Sequence, residues 1–138
     1  MAAITLDTSE LPLVNLHWPR ECEMAEVTKF IRDLTRLAYE GPAFAVVCTI
    51  AGAGLATVDK SAPIRTMLKD HRHAFARNFK ACGIVVTSVA VHAATTAFLG
   101  LVTVDFPVRA FVTVHDARTW CSGVLSDGEE VPCIQQLI

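Results

Sequence analysis

Apolar residues recur along this chain with different periods, and the changes of period divide it into helices and strands. From Glu23 to Ala38 they recur at steps of three and four, the spacing of one face of an amphipathic helix. Gly41-Pro42 then ends that helix. Phe44–Ile50 (FAVVCTI) is a continuous apolar run of strand length, which favours a strand covered on both faces. The pattern therefore predicts a helix followed by a buried strand.

The most apolar part of the chain runs from Cys82 to Val114 and contains only two formally charged side chains. Residues 84–104 are long enough to cross a bilayer, which takes ~20 residues in a helix. However, they begin with a β-branched run and become alanine-rich, so the local preference changes from strand to helix. No basic cluster flanks them to set an orientation. We therefore predict a strand, a helix over 89–100 and a strand over 108–114.

The rest of the chain supplies the remaining elements. Residues 3–6 and 13–18 are predicted to form an N-terminal β-hairpin. A second helix is predicted from residue 59 or 61 to residue 80, and a last helix over 117–125 with Asp116 as its cap. The order β-β-α-β-α-β-α-β-α implies an α/β fold, with a central mixed, mostly parallel sheet covered by helices and right-handed crossovers.

Length and composition bound the class of protein. A chain of 138 residues supports one domain, and we expect it over residues 1–125, followed by a C-terminal tail over 126–138. Contents of 52% hydrophobic and 19% charged residues are typical of a folded globule. The five cysteines, an odd number without CxxC spacing, favour a reducing compartment. Because the N-terminus lacks the features of a signal peptide, we predict a cytoplasmic location.

Several short strings carry a family resemblance through their order and spacing. They are Pro12-Leu13-Val14, Gly41-Pro42-x-Phe44-Ala45, Cys82-Gly83-Ile84-Val85-Val86, Phe106-Pro107-Val108-Arg109-Ala110-Phe111 and Asp116-Ala117-Arg118-x-Trp120. Together they resemble the SpoIIAA-like group, small bacterial proteins with a STAS or STAS/SEC14-type domain. The resemblance spans about residues 12–125 and implies a non-enzymatic regulatory module that binds a protein partner.

The resemblance also implies a place for a regulatory switch. In the anti-sigma factor antagonists of this group, a Ser or Thr at the start of a helix is phosphorylated and partner binding changes. The matching neighbourhood here is residues 50–61, where Thr57 and Ser61 are the available hydroxyls. These two residues are the candidate phosphoacceptors, although the Asp-Ser or Asp-Thr pair followed by Gly is missing from this sequence.

The second predicted helix has a distinctive charge pattern, because residues 59–82 hold six lysines and arginines against two aspartates in a chain of net charge −2. A solvated helix face is the plainer interpretation. The sharper one is a docking surface for an acidic partner, namely a protein surface, an anionic lipid headgroup or a phosphate backbone. Nucleic acid is not expected, because the chain is acidic overall and no aromatic residues interleave the basic ones. The basic candidates for partner binding are Arg65, Lys69, Arg72, Arg77 and Lys80.

The helix predicted over 89–100 offers a second candidate surface. Its side chains are apolar on nearly every side, so a second copy, a partner or a ligand is expected to cover it. His92 and Phe98 are its candidate binding residues. A homodimer is therefore one hypothesis. The SEC14-type likeness supplies the alternative function, a small protein that binds an apolar ligand or lipid.

Residues of catalytic type do not form a recognisable constellation. Gly52-Ala-Gly54 lacks the third glycine of a dinucleotide fingerprint, and no Gly-Lys-Ser/Thr follows it. The cysteines of the predicted strands and last helix are expected to be packed rather than activated. His71 and His73 are two residues apart on a predicted helix and face different directions, which makes them a poor metal pair. We predict no enzymatic activity, no cofactor and no metal.

Overall fold

The computed structural model describes residues 4–19, 23–50, 58–86 and 106–127. Its strands pair in the order β1-β2-β3-β4-β5, with β1 antiparallel to β2 and all other neighbours parallel. The predicted α/β class with a mixed, mostly parallel sheet is therefore confirmed. The strands are β1 (Thr5–Asp7), β2 (Leu13–Trp18), β3 (Phe44–Ile50), β4 (Phe79–Val85) and β5 (Val108–Phe111). The helices are α1 (Met24–Glu40), α2 (Val58–Asp70), α3 (Arg72–Asn78) and α4 (Val114–Asp127).

The sheet is covered on both faces, and the alternation of side chains along β3 shows how. Phe44 and Val46 pack on one face against α1, α2 and α3. Ala45 and Val47 point to the other face, where α4 packs. Because both faces are buried, β3 needs apolar residues at every position rather than at alternate ones. The continuous apolar run therefore predicts this strand correctly.

The first helix and the N-terminal hairpin also form as predicted. The apolar stripe of α1 is buried, and its Phe30 ring packs edge-on against Trp18 of β2, with centroids 5.4 Å apart. Gly41 ends the helix, and its N–H donates to the Leu37 carbonyl at 2.9 Å. A Cβ at position 41 would lie 2.9 Å from that same oxygen. Glycine is therefore required there by close approach to the helix backbone.

The helix predicted to run to residue 80 is wrong at its C-terminal end. The predicted helix is interrupted at His71, which divides it into α2 and α3, and α3 ends at Asn78. Phe79 then starts β4, where its ring stacks on Phe106 with centroids 4.1 Å apart and tilts against Phe44 at 5.0 Å. The register with β3 shifts at this point, which leaves Lys80 exposed while Phe79 and Ala81 are both buried.

Periodicity could not reveal this boundary. Phe75 and Phe79 are four residues apart, the spacing of one helix face, and they do contact each other, with centroids 5.8 Å apart. The contact is made across the turn from α3 into β4, however, rather than along a continuing helix. The Asn78 side chain donates to the Ala38 carbonyl at 2.6 Å and ties this turn to α1.

The last helix lies on the face opposite α1, and Gly83 of β4 allows it to come close. A Cβ at Gly83 would lie 3.2 Å from Ala117 Cβ and 3.3 Å from Cys121 Sγ. The prediction that Asp116 caps this helix is wrong, since α4 begins at Val114 and the Asp116 N–H donates to Thr113 Oγ1 at 3.2 Å. Asp116 therefore lies inside the first turn, where its negative charge interacts favourably with the positive end of the helix dipole.

Two further expectations concern the apolar centre of the chain. The strand predicted over 108–114 ends at Phe111, because the next two residues turn into α4. The helix predicted over 89–100 lies outside the described residues. In the part of the chain that the structure describes, no helix combines the length and apolar character needed to span a membrane.

The close contact at Gly83 leads to a stability prediction. We expect Gly83→Val to lower the free energy of unfolding by about 1–3 kcal/mol, because its added carbons overpack the space between β4 and α4. Gly123→Ala is the matched control, since a Cβ at position 123 meets nothing within 4 Å. It should raise the free energy of unfolding by roughly 0.5–1 kcal/mol through helix propensity. Urea denaturation measures the free energy of unfolding of both variants. Equal changes in Gly83→Val and Gly123→Ala would contradict the close packing of α4 on Gly83.

Candidate partner-binding surface

The predicted basic residues are all exposed, but three elements carry them instead of one helix. Arg65 and Lys69 lie one turn apart on α2, and Arg72 and Arg77 lie on α3. Lys80 is on β4, so its predicted place on the helix is wrong. We call these five residues the basic surface. The two helices pack against each other and against α1.

The packing of α2 and α3 explains why these charges point outward. Met67 of α2 and the Ala74-Phe75 pair of α3 are buried in the core that covers β3. The basic side chains occupy the other side of each helix and remain in solvent. Burial of the apolar side therefore fixes the direction of the charged one.

Little negative charge lies among these residues. Between residues 62 and 80, Asp70 is the single acidic residue against the five basic ones. Within the described part of the chain, Arg65 and Lys69 take part in no ion pair. The same holds for Arg77 and Lys80, so four of the five residues of the basic surface take part in no ion pair within the described part of the chain. Arg72 does have an interaction within the molecule.

An aromatic side chain that the sequence pattern did not identify lies next to the basic surface. Tyr39 of α1 is 55% exposed, and its hydroxyl shares a hydrogen bond with His71 Nδ1 at 2.9 Å. The two rings meet edge-on, with centroids 5.6 Å apart and an angle of 88°. His71 is the residue at which α2 and α3 separate. The pair therefore joins α1 to the junction between the basic helices.

A second polar cluster ties the hairpin to α4 on the other side of the sheet. Asn15 Nδ2 donates to Glu10 Oε1 at 2.7 Å. Arg118 Nη1 donates to Glu10 Oε1 and to Asn15 Oδ1, each at 3.0 Å. These interactions lower the pKa of Glu10 below its ordinary value. The hydrogen bond from Asn15 has the largest effect, and the hydrogen bond and the charge of Arg118 add to it. All three are exposed or partly exposed, and the cluster positions the loop between β1 and β2.

The thiols of the described residues are poorly suited to nucleophilic chemistry. Burial raises the pKa of Cys48 to about 12 and that of Cys121 to about 11. Burial also raises the pKa of Cys82 well above its ordinary value, and the neighbouring thiols add to this effect. A thiol that stays protonated near neutral pH is a weak nucleophile. This environment agrees with the predicted packing role of these cysteines.

Several predicted site residues lie beyond what the structure describes. Thr57, His92 and Phe98 are outside the described residues, as is Gly52-Ala-Gly54. Ser61 falls within α2, but only its backbone is described. Among the described residues, no group of three or more His, Cys, Asp or Glu is placed to hold a metal ion.

Comparison of the chain with protein-family models, with curated proteins and with solved structures gives no significant match. The resemblance to the SpoIIAA-like group therefore stays a prediction that depends on the short strings. What the geometry adds is independent of that resemblance. It shows a basic surface on α2, α3 and β4, with an exposed and hydrogen-bonded tyrosine beside it.

The cluster around Glu10 has a pH dependence that NMR can measure. Because the pKa of this carboxyl is lowered in the folded chain, its stabilisation is present above the ordinary pKa of glutamate. The stabilisation is lost as pH falls through the lowered value. We expect Asn15→Ala, and to a lesser degree Arg118→Ala, to move the titration midpoint of Glu10 upward. An unchanged midpoint in both variants would contradict the hydrogen bonds described.

Proposed function

We propose that this chain is a non-enzymatic regulatory module of STAS type that binds an acidic protein partner through the basic surface. The observation that carries the proposal is the exposed, weakly compensated positive charge of α2, α3 and β4. The α/β fold with a mixed, mostly parallel sheet and an N-terminal hairpin is compatible with a STAS-type module. The proposed recognition of an acidic partner depends on the exposed basic residues and not on the family resemblance.

The charge balance distinguishes this surface from an ordinary solvated helix face. A solvated face usually mixes both signs of charge, because like charges on adjacent turns repel one another. Here five of the twelve basic residues lie between residues 65 and 80 with a single aspartate among them, in a chain whose net charge is −2. Such a surface attracts an acidic partner, increases the rate of encounter and disfavours basic partners. An acidic protein surface is therefore the occupant that best fits the charges.

The hydroxyls of the predicted switch lie close to this surface along the chain. The α2 helix begins at Val58, directly after Thr57, and Ser61 is one turn before Arg65. A phosphate carries a charge of about −1.5 to −2 at neutral pH. Phosphorylation of either residue would therefore add negative charge to the segment that precedes Arg65 in the sequence and weaken attraction to an acidic partner. The alternative function, binding of an apolar ligand, depends on residues 89–100, which lie outside the described residues.

The test is an affinity pull-down from native cytosol, followed by identification of the retained proteins by mass spectrometry. We expect the unmodified chain to retain an acidic protein in stoichiometric amount. Arg65→Glu/Lys69→Glu should lose it, and the affinity for the purified partner should fall as salt is added. Both side chains are exposed, so the free energy of unfolding should change by no more than about 0.5 kcal/mol.

The matched control is Lys29→Glu/Arg32→Glu, which makes the same change in net charge at two exposed positions of α1, a helix that carries none of the five residues of the basic surface. This variant should retain the partner as the unmodified chain does. Equal retention by both reversal variants would contradict the proposal, as would equal loss, since the latter would indicate a response to net charge alone.

A further inference from the structure

We propose that Tyr39 is the aromatic anchor of the basic surface, meaning the side chain that inserts into the partner. The partner would then be an acidic protein whose carboxylates surround an apolar recess. This inference depends on the proposed function, because it assigns a further residue and a chemistry to the same binding surface. It is carried by the geometry of the Tyr39–His71 pair.

Tyr39 is unusually exposed for an aromatic residue. Tyr39 is the single tyrosine of the chain, and it is 55% exposed although its ring is large and largely apolar. Among the described residues it is the most exposed of the large hydrophobic side chains, ahead of Val114 at 43%. It contributes nothing to either core cluster. Burial in the core therefore does not account for its position, which is set by its contact with His71.

The exposed ring is held in place by His71. The hydroxyl and His71 Nδ1 are 2.9 Å apart, and the edge-on contact between the rings adds a second restraint. His71 is fixed in turn by its backbone, which donates to Met67 O at 3.0 Å and accepts from Phe75 N at 3.1 Å. A side chain ordered before binding loses less conformational entropy when a partner covers it.

The surroundings of the pair are mainly basic. Lys69 and Arg72 lie two residues before and one residue after His71, and Arg36 precedes Tyr39 by about one helical turn; all three are exposed, as are the adjacent Asp70 and Glu40. Tyrosine and arginine are the residue types enriched among the side chains that dominate binding energy. An aromatic ring among basic side chains matches a recess lined by apolar groups and bordered by carboxylates.

The same charges disfavour a second copy of this chain as the occupant. In a dimer with two-fold symmetry, both subunits contribute the same surface patch to the interface. The positive charge around Arg65 and Lys69 on one subunit would then approach that of the other, and this like-charge repulsion disfavours the dimer. The partner is therefore a different, acidic protein.

Two synthetic peptides of equal charge test this inference. One repeats Glu-Glu-Leu-Leu three times and the other repeats Glu-Glu-Ser-Ser three times, each with a fluorescent label for anisotropy at low salt. We expect the unmodified chain to bind the leucine peptide about fivefold tighter than the serine peptide or better. Tyr39→Ala should abolish that preference while binding of the serine peptide stays unchanged, because the latter depends on charge alone.

Two matched variants separate the ring from general effects. Tyr39→Phe keeps the ring and should keep most of the preference, whereas Tyr39→Gln removes the ring and replaces Tyr39→Ala if that variant does not fold. Met24→Ala removes another exposed apolar side chain of α1, 42% exposed, and should leave the preference intact. A preference that survives in Tyr39→Ala or Tyr39→Gln would overturn the role of Tyr39.

The failure of this inference can be told from the failure of the proposed function. If Arg65→Glu/Lys69→Glu weakens binding of both peptides but Tyr39→Ala weakens neither, the role of Tyr39 is rejected and the proposed binding through the basic surface is retained. If charge reversal changes neither peptide, or neither peptide binds, both proposals fall. Concentration-dependent dimerisation that Tyr39→Ala removes, measured by sedimentation, would also overturn the inference, because the occupant would then be a second copy.

Discussion

The burial of β3 on both faces is the constraint on which the rest of this fold depends. From Phe44 to Val47 every side chain is at most 1% exposed, and complete burial of a large apolar side chain is worth about 1.5–3 kcal/mol. A strand that is apolar on both sides requires cover on both sides. The helices α1, α2 and α3 supply it on one face, and α4 supplies it on the other.

The α4 helix can pack closely on its face of the sheet because β4 has a glycine where the two meet. Gly83 removes the side chain that would separate the sheet from Ala117 and Cys121, so α4 packs directly on the strands. The Glu10–Asn15–Arg118 cluster then attaches the far end of this layer to the hairpin. Cys48, Cys82 and Cys121 all lie near the middle of this arrangement, and desolvation there keeps their thiols protonated.

The same constraint determines what the surface presents. Because Phe79 is needed in the sheet core, α3 ends at Asn78 and the basic residues are spread over two helices and a strand. The break at His71 also brings an imidazole against Tyr39. Packing of the core thus creates the junction at which a hydrogen-bonded aromatic ring lies beside positive charge.

The sequence by itself determined the elements whose signal is local. The period of α1, the apolar run of β3 and the hairpin follow from spacing within short windows, and so does the exposure of Arg65 and Lys69. The mostly parallel sheet follows from the alternation of strands and helices along the chain. Only the tertiary structure decided where α3 ends, because the four-residue spacing of Phe75 and Phe79 suits a helix and a helix-to-strand turn equally. Tyr39–His71 and Glu10–Arg118 join residues 32 and 108 positions apart. Contacts at such separation arise from how layers pack, and no local pattern records them.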